Sequence, residues 1–187
     1  FFTSGVQNNL IIFELEEEYL QKYIKRENKK LFKKEKEFEK YSIEQLELKY
    51  KNEYGGFSPN GKEYIICVDE KIPSVWSNIL ANENYGTIVT QNLGGFTWYK
   101  NSRLNRITRW SNDPIKDTPS EEIYVQDENE KSVWRIGEGN VLVTHGFGYS
   151  RYEQNKLDIK QRLEIFVSMN NSVKFNLLTL KNNTNHT

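Results

Sequence analysis

"YGTIVTQNLGGFTWYK", residues 85–100, decides the fold. Its first part, "YGTIVTQ", and its last, "GFTWYK", are short runs of β-branched and aromatic residues, and they meet at the turn cluster "QNLGG". Such runs suit a pleated, half-buried surface rather than a helix. The same grammar holds from Tyr54 onward. Strand signals recur at "EYIICV" (63–68), "RITRW" (106–110), "EIYVQ" (122–126), "SVWRI" (132–136), "NVLVTHG" (140–146), "RLEIFVS" (162–168) and "VKFNLLTL" (173–180). The turn clusters "SPNG", "NENYG", "DENEK" and "GEGN" separate them. No helical segment interrupts the series, so the expectation is a mainly β protein built as an antiparallel sandwich.

Upstream the pattern differs. Residues 14–50 contain no Gly or Pro and are rich in Glu and Lys, with an acidic start and a basic middle that follow the helix dipole. Leu20, Ile24, Leu31 and Phe38 fall near one stripe, extended by Tyr41, while Glu27 and Lys34 occupy the companion positions. A coiled coil needs both seams apolar, so one is rejected. The stretch reads as a solvated helix laying one narrow face on a domain. "SIEQ" (42–45) is a capping-box pattern that predicts a second short helix. The expected organisation is a helical connector or extension over 1–53 and the sandwich over 54–187. The chain begins with Phe, and its last strand runs almost to the C-terminus. Both lead us to expect a truncated sandwich from a longer polypeptide, poorly soluble by itself because missing strands expose an edge and an apolar face.

Composition excludes several classes. Acidic and basic residues balance at 26 each, so no basic field recruits nucleic acid. Aromatics reach 13%, which favours sheets or polar ligand surfaces, because Tyr and Trp bury area while keeping a polar tip. Cys67 lies in an apolar run and reads as a small buried hydrophobe, and His145 and His186 are too far apart in sequence for ligand spacing, so no metal is expected. No apolar run approaches the roughly 20 residues that span a bilayer. The first residues lack a charged n-region and a small-residue cleavage site, so they are not a signal peptide. The sequons at Asn170, Asn182 and Asn185 read as chance in an Asn-rich chain.

Catalytic signatures are sparse. "YGGF" (54–57), "LGGF" (93–96) and "HGFGYSR" (145–151) precede aromatic strand-like sequence rather than a helix, and read as turns, bulges or close backbone approaches. No Ser sits in G-x-S-x-G, and nothing in sequence pairs His145 with a nucleophile, so it reads as a hydrogen-bonded structural residue. The acidic residues lie mostly in the helical stretch or in turns and read as solvated. One span stands out: "NSRLNRITRWSNDP", residues 101–114. Planar amides and Arg forks each bind two neighbouring hydroxyls or oxyanions, and indole faces cover apolar C–H patches. With Trp76, Trp98 and Tyr99 nearby in the pattern, one reading is a sugar surface. The other is an Asx-type turn at Asn112-Asp113-Pro114, with Arg109 paired to a carboxylate. Composition leaves both open.

"YGGFSPNGKEYII", "WSNILANENYGTIVTQNLGGFTWYKNSRLNRITRWSNDPIKDTPSEEIYVQDE" and "VTHGFGYSRYE" occur in the order found in the N-terminal β-supersandwich domain of glycoside hydrolase family 94, formerly glycosyltransferase family 36, and the chain resembles that domain from residue 54 to about 180. "NSRLNRITRWSNDP" is closest to the β-1,2-oligoglucan phosphorylase and cyclic β-1,2-glucan synthase branch, although Arg109 stands where that branch often has Pro. The resemblance implies an enzyme with an (α/α)6 barrel that cleaves β-glucosides with inversion, an Asp as general acid and inorganic phosphate as nucleophile and co-substrate. The acid and the phosphate site lie in that barrel, which this chain lacks, so no residue here is assigned as catalytic. No cofactor is implied. The resemblance also implies a homodimer in the full enzyme, with this domain bordering the substrate cleft. It makes Arg103, Asn105, Arg106, Trp110, Asn112 and Asp113 the candidates for contact with a β-glucan or gluco-oligosaccharide. A cytoplasmic location follows for a phosphorylase, and a membrane-associated one for a glucan synthase. Three functions are therefore weighed: a fragment of a phosphorylase, a fragment of a cyclic β-1,2-glucan synthase, and a stand-alone carbohydrate-binding module without catalysis.

Overall fold

Alternation of apolar and polar residues along the strands creates one buried layer between two sheets. In the computed structural model, residues 41–68, 72–113, 115–128 and 131–183 are described, and they belong to the unit Phe38–Thr187. They form β1 (Gly55–Phe57), β2 (Glu63–Val68), β3 (Ser77–Ala81), β4 (Tyr85–Thr90), β5 (Gly95–Tyr99), β6 (Tyr124–Asp127), β7 (Ser132–Arg135), β8 (Val141–Gly146), β9 (Tyr149–Lys156), β10 (Ile159–Val167) and β11 (Lys174–Asn182). A six-stranded sheet has the order β1-β2-β8-β9-β10-β11, a three-stranded sheet the order β3-β4-β5, and β6 pairs β7. Every pairing is antiparallel. The chain is thus the mainly β antiparallel sandwich expected.

The core lies where the three-stranded sheet meets β8 to β10. Ile66, Val68, Val141, Val143, Tyr152, Leu163 and Ile165 face Leu80 and Val89 there, with Leu93 and Ile136 closing the layer. Full burial of one such side chain contributes about 1.5–3 kcal/mol. Polar groups are also enclosed, and several are bonded across the layers. The Trp134 indole N–H donates to Gln161 Oε1 at 2.9 Å, the Gln154 amide donates to the same oxygen at 3.1 Å, and the Tyr152 hydroxyl donates to the Thr90 carbonyl at 2.6 Å. A buried polar group without a partner would be costly, so these bonds fix how the layers meet.

Several expectations need correction. "RITRW" is not a strand. Only Arg106 bridges the sheet, opposite Trp98. Beyond it the Thr97 N–H goes to the Thr108 hydroxyl at 2.9 Å instead of to a ladder carbonyl. β1, β3 and β9 arise where no strand was expected, and β1 occupies the glycines of "YGGF". A Cβ at Gly55 would stand 2.4 Å from the Ile65 carbonyl oxygen, so the close backbone approach explains the residue. "SIEQ" forms only a 3-10 turn, Ile43–Gln45, with the Ser42 side chain accepting from the Glu44 N–H at 3.3 Å. The helix expected over the first part of residues 14–50 falls outside the described residues. Residues 41–53 are otherwise non-helical and bonded to the sandwich. The Tyr41 N–H donates to Asn140 Oδ1 at 2.7 Å, and Lys49 bridges Phe57. Hydrogen bonds therefore cross the boundary drawn after residue 53.

Candidate functional site

The loop after β5 turns back on that strand through its asparagines. Asn101 Oδ1 accepts from the Arg103 and Leu104 N–H groups at 2.9 Å each, an Asx turn that closes the loop without Gly. The Asn105 N–H donates to the Asn101 carbonyl at 2.9 Å, and the Asn105 carbonyl accepts from Tyr99 at 3.1 Å. Lys100 sustains the bend at φ 60. The backbone of Asn105 is thus committed to the loop, while its exposed side-chain amide has no partner among the described residues.

The returning segment covers the outer face of the three-stranded sheet. Ile88 and Phe96 are register partners there, and Trp98 lies opposite Gly86, where a Cβ would stand 2.3 Å from the indole. The Trp110 ring centre lies 4.9 Å from that of Phe96. The Arg106 guanidinium carbon lies 4.7 Å from the Trp110 ring centre and 5.0 Å from that of Phe96. Arg106 Nε donates to the Ser102 carbonyl at 3.0 Å, which fixes the plane of the fork. Phe96 is consequently buried, while Trp110 remains 38% exposed. The terminal amino groups of Arg106 carry no bond among the described residues. The guanidinium thus stacks over the partly exposed indole, so the pair presents a cation and an aromatic ring together, a pairing that suits hydroxyl-rich or anionic ligands.

The other candidates divide. Arg103 is exposed two residues from Asn101, and Asn112 is exposed at φ 50. Asp113 is spent on the backbone: its Oδ1 accepts from Ile115 and Lys116 at 3.0 Å each. The Lys116 N–H bond, then the Ile115 bond, hold its carboxyl below the usual carboxylate range. Asp113 is therefore the centre of an Asx turn. Among the aromatics, Trp98 stays near the site with its ring centre 5.6 Å from Phe96. Trp76 belongs elsewhere, packed edge-on against Tyr54 and Tyr64 at 5.9 and 5.6 Å.

One residue that matters to this loop escaped sequence reasoning. The acidic residues outside the helical stretch read as solvated turn residues, yet Asp117 is buried, and its carboxylate accepts from the Thr90 hydroxyl at 2.6 Å. Thr90 in turn accepts from the Gly94 N–H at 2.7 Å, and the Asp117 N–H donates to the Asp113 carbonyl at 2.9 Å. The segment 113–117 is thereby tied to the end of β4. His145 is the hydrogen-bonded structural residue expected, with Nδ1 2.8 Å from Ser150 Oγ. Burial lowers its pKa to about 4, partly opposed by the Trp76 backbone. Among the described residues, no group of three or more His, Cys, Asp or Glu is placed to hold a metal ion, and no helix is long and apolar enough to cross a membrane.

Fold and loop together define an all-β sandwich domain that displays an aromatic–arginine surface on one outer face. The family model of the glycosyl hydrolase 94 supersandwich domain matches residues 62–187, and the chain belongs to this family. It is 26% identical over 138 residues to an N,N'-diacetylchitobiose phosphorylase of Vibrio proteolyticus, an alignment spanning 69% of this chain and 17% of that protein. It is 33% identical over 125 residues to the cyclic beta-(1,2)-glucan synthase NdvB of Rhizobium meliloti (strain 1021), spanning 61% of this chain and 4% of the synthase. A second N,N'-diacetylchitobiose phosphorylase, from Vibrio furnissii, is 27% identical over 123 residues, spanning 61% of this chain and 15% of that protein. The chain thus spans less than a fifth of the length of each of these relatives.

Proposed function

We propose that this supersandwich domain borders the substrate cleft of a phosphorylase-like enzyme and contacts β-linked gluco-oligosaccharide through the loop after β5. Phosphate is the co-substrate of the whole enzyme, and the reacting groups belong to a catalytic barrel outside this chain. The observation that carries the reading is the Arg106–Trp110 pair, held over Phe96 with the indole and the guanidinium fork both open to solvent. Arg103, Asn105 and Asn112 are exposed on the same short stretch of chain and add further polar side chains to it. Asp113 contributes by shaping the turn. The 33% identity to a cyclic beta-(1,2)-glucan synthase favours a β-1,2-linked glucan over the chitobiose named in the two phosphorylases, and supports a synthase fragment as the second reading.

Calorimetric titration tests this. The purified chain is titrated with β-1,2-gluco-oligosaccharides, with cello-oligosaccharides and N,N'-diacetylchitobiose as controls. Binding of the β-1,2 series, lost in Trp110→Ala and Arg106→Ala variants whose circular dichroism is unchanged, is the expected result. Heat from none of the three sugars would sink the sugar-surface reading and leave the loop as a cover for Phe96.

A further inference from the structure

Asn60 is the only asparagine in the chain that precedes a glycine. It stands exposed in the turn that joins β1 to β2. The Gly61 N–H donates to the Ser58 carbonyl at 2.8 Å, so Ser58–Gly61 is a β-turn with Pro59 second and Asn60 third. The Ser58 hydroxyl at 2.7 Å and the Lys62 N–H at 3.0 Å both donate to Asn60 Oδ1. Behind the turn, the Ser58 N–H donates to the Glu63 carbonyl at 2.9 Å, and the Glu63 N–H to Ser58 Oγ at 3.2 Å.

This places a nucleophile next to an activated amide. Gly61 sits at φ 73 with nothing within 4 Å of where a Cβ would stand, so no side chain shields its nitrogen. The two donors on Oδ1 favour negative charge there, which makes Cγ more open to attack. One bond stands in the way: the closed turn keeps the Gly61 N–H engaged with the Ser58 carbonyl.

We propose that Asn60 is a site of self-modification, in which the Gly61 nitrogen displaces the Asn60 side-chain amide whenever the turn opens. Hydroxide removes the Gly61 amide proton. The nitrogen attacks Asn60 Cγ, and the new C–N bond closes a succinimide ring. The Cγ–Nδ2 bond then breaks, and Nδ2 takes up a proton and leaves as ammonia. Water reopens the ring at one of two carbons. Addition at Cγ restores the ordinary main chain with an aspartate. Addition at the Asn60 main-chain carbonyl carbon leaves an isoaspartate, whose main chain runs through the side-chain methylene. Either product adds one carboxylate to the 26 acidic side chains, so the net charge moves from 0 to one negative unit. The two products differ in fit. An aspartate keeps its acceptor, and the Ser58 hydroxyl and Lys62 N–H then bond to an anion. An isoaspartate lengthens the turn by one carbon and puts the Ser58–Glu63 bonds and the Phe57–Tyr64 register out of step. β1 is only three residues long, so that misfit reaches its whole length. The inference is independent of any sugar contact.

The test uses the full 187-residue chain, held at mildly alkaline pH and sampled over time by anion exchange and peptide mass spectrometry. Asn60 should lose its amide before any other asparagine, including Asn101 and Asn171, which each precede a serine. Urea should speed the loss about tenfold or more, because the closed turn must otherwise open first. Gly61→Ala should slow the loss in urea, where the turn is gone and only crowding of the attacking nitrogen remains. Hydrogen exchange of the separated products should show the Ser58 amide exchanging faster in the isoaspartate form than in the aspartate form. Asn60→Asp should melt with the parent. Amide loss that starts at another asparagine overturns the inference. Equal rates in buffer and in urea overturn the gating by the turn. A rate in urea that Gly61→Ala leaves unchanged also overturns the inference, since water then attacks the side chain directly.

Discussion

The Thr90 hydroxyl donates to the Asp117 carboxylate at 2.6 Å, joining the end of β4 to the turn that follows the candidate loop. Burial raises the Asp117 pKa, and the hydrogen bonds from Thr90 and Asn92 only partly offset it. The folded state therefore holds this proton more tightly than the unfolded chain. Its stabilising contribution is complete below the unfolded carboxyl pKa and is lost as pH rises through the higher folded value. Asp117→Asn keeps an acceptor for Thr90 but cannot ionise. Its melting temperature should exceed that of the parent at neutral pH, and the gap should narrow as the buffer is acidified. Thr90→Val should lose about 2 kcal/mol or more in urea denaturation, because it strands both the Asp117 carboxylate and the buried Gly94 N–H.

His145 gives the opposite slope. Burial lowers its pKa to about 4, from an ordinary value of 6.5. The unfolded chain therefore takes up a proton that the folded imidazole resists. Stability is full above the unfolded pKa and falls as pH drops from about 6.5 towards 4, by up to about 3 kcal/mol. His145→Gln should flatten denaturation midpoints across that window. A variant with the same acid sensitivity as the parent would assign the slope to other groups.

Gly95 is required for a backbone reason. It sits at φ 104, and a Cβ there would stand 2.0 Å from the Ile88 carbonyl oxygen of the paired strand. Gly95→Ala should cost about 3 kcal/mol, from strain together with separation of β4 from β5. Gly61, at φ 73 with nothing within 4 Å of a Cβ, is the control, and its Ala variant should lose only about 1 kcal/mol. Equal losses in the two variants would show that the close approach to Ile88 contributes nothing.

The sequence made some elements legible and hid others for identifiable reasons. β2, β4 and β5 are rich in β-branched and aromatic residues, and their runs were readable directly. β9 was hidden because its inward positions include Ser150 and Gln154, so a buried face looks polar. "RITRW" has strand composition but leaves the sheet after one bridge, since side-chain bonds replace the ladder. The abundant asparagines were ambiguous between ligand groups and turns. Asn52, Asn82 and Asn101 each accept from two following N–H groups, which is a turn role. In the loop, Arg106 and Trp110 were identifiable as a planar cation beside an indole. Asp117 was not, because its partner Thr90 lies 27 residues away and nothing local marks it as buried.

Asn78 is a sharper probe of how the two sheets join. From β3 its Nδ2 donates to the Gly146 carbonyl at 2.9 Å, the Tyr149 carbonyl at 3.0 Å and Ser150 Oγ at 3.1 Å, so one amide clasps the β8–β9 hairpin. On the same face of the chain, Asn82 Nδ2 clasps the β10–β11 turn through the Ser168 and Asn171 carbonyls at 2.8 and 2.9 Å. Asn78→Asp is nearly isosteric, yet it turns the donor into an anionic oxygen facing two carbonyls. Asn78→Ala merely removes the donor. If the clasp acts through hydrogen bonding rather than shape, the Asp variant should be the less stable of the two, losing about 3 kcal/mol or more against about 1–2 kcal/mol for Ala. The difference should shrink at low pH as the new carboxyl protonates and regains a donor. Urea denaturation of both variants at neutral and acidic pH checks it. An Asp variant as stable as the parent at neutral pH would show that the Asn78 clasp contributes little to joining the layers.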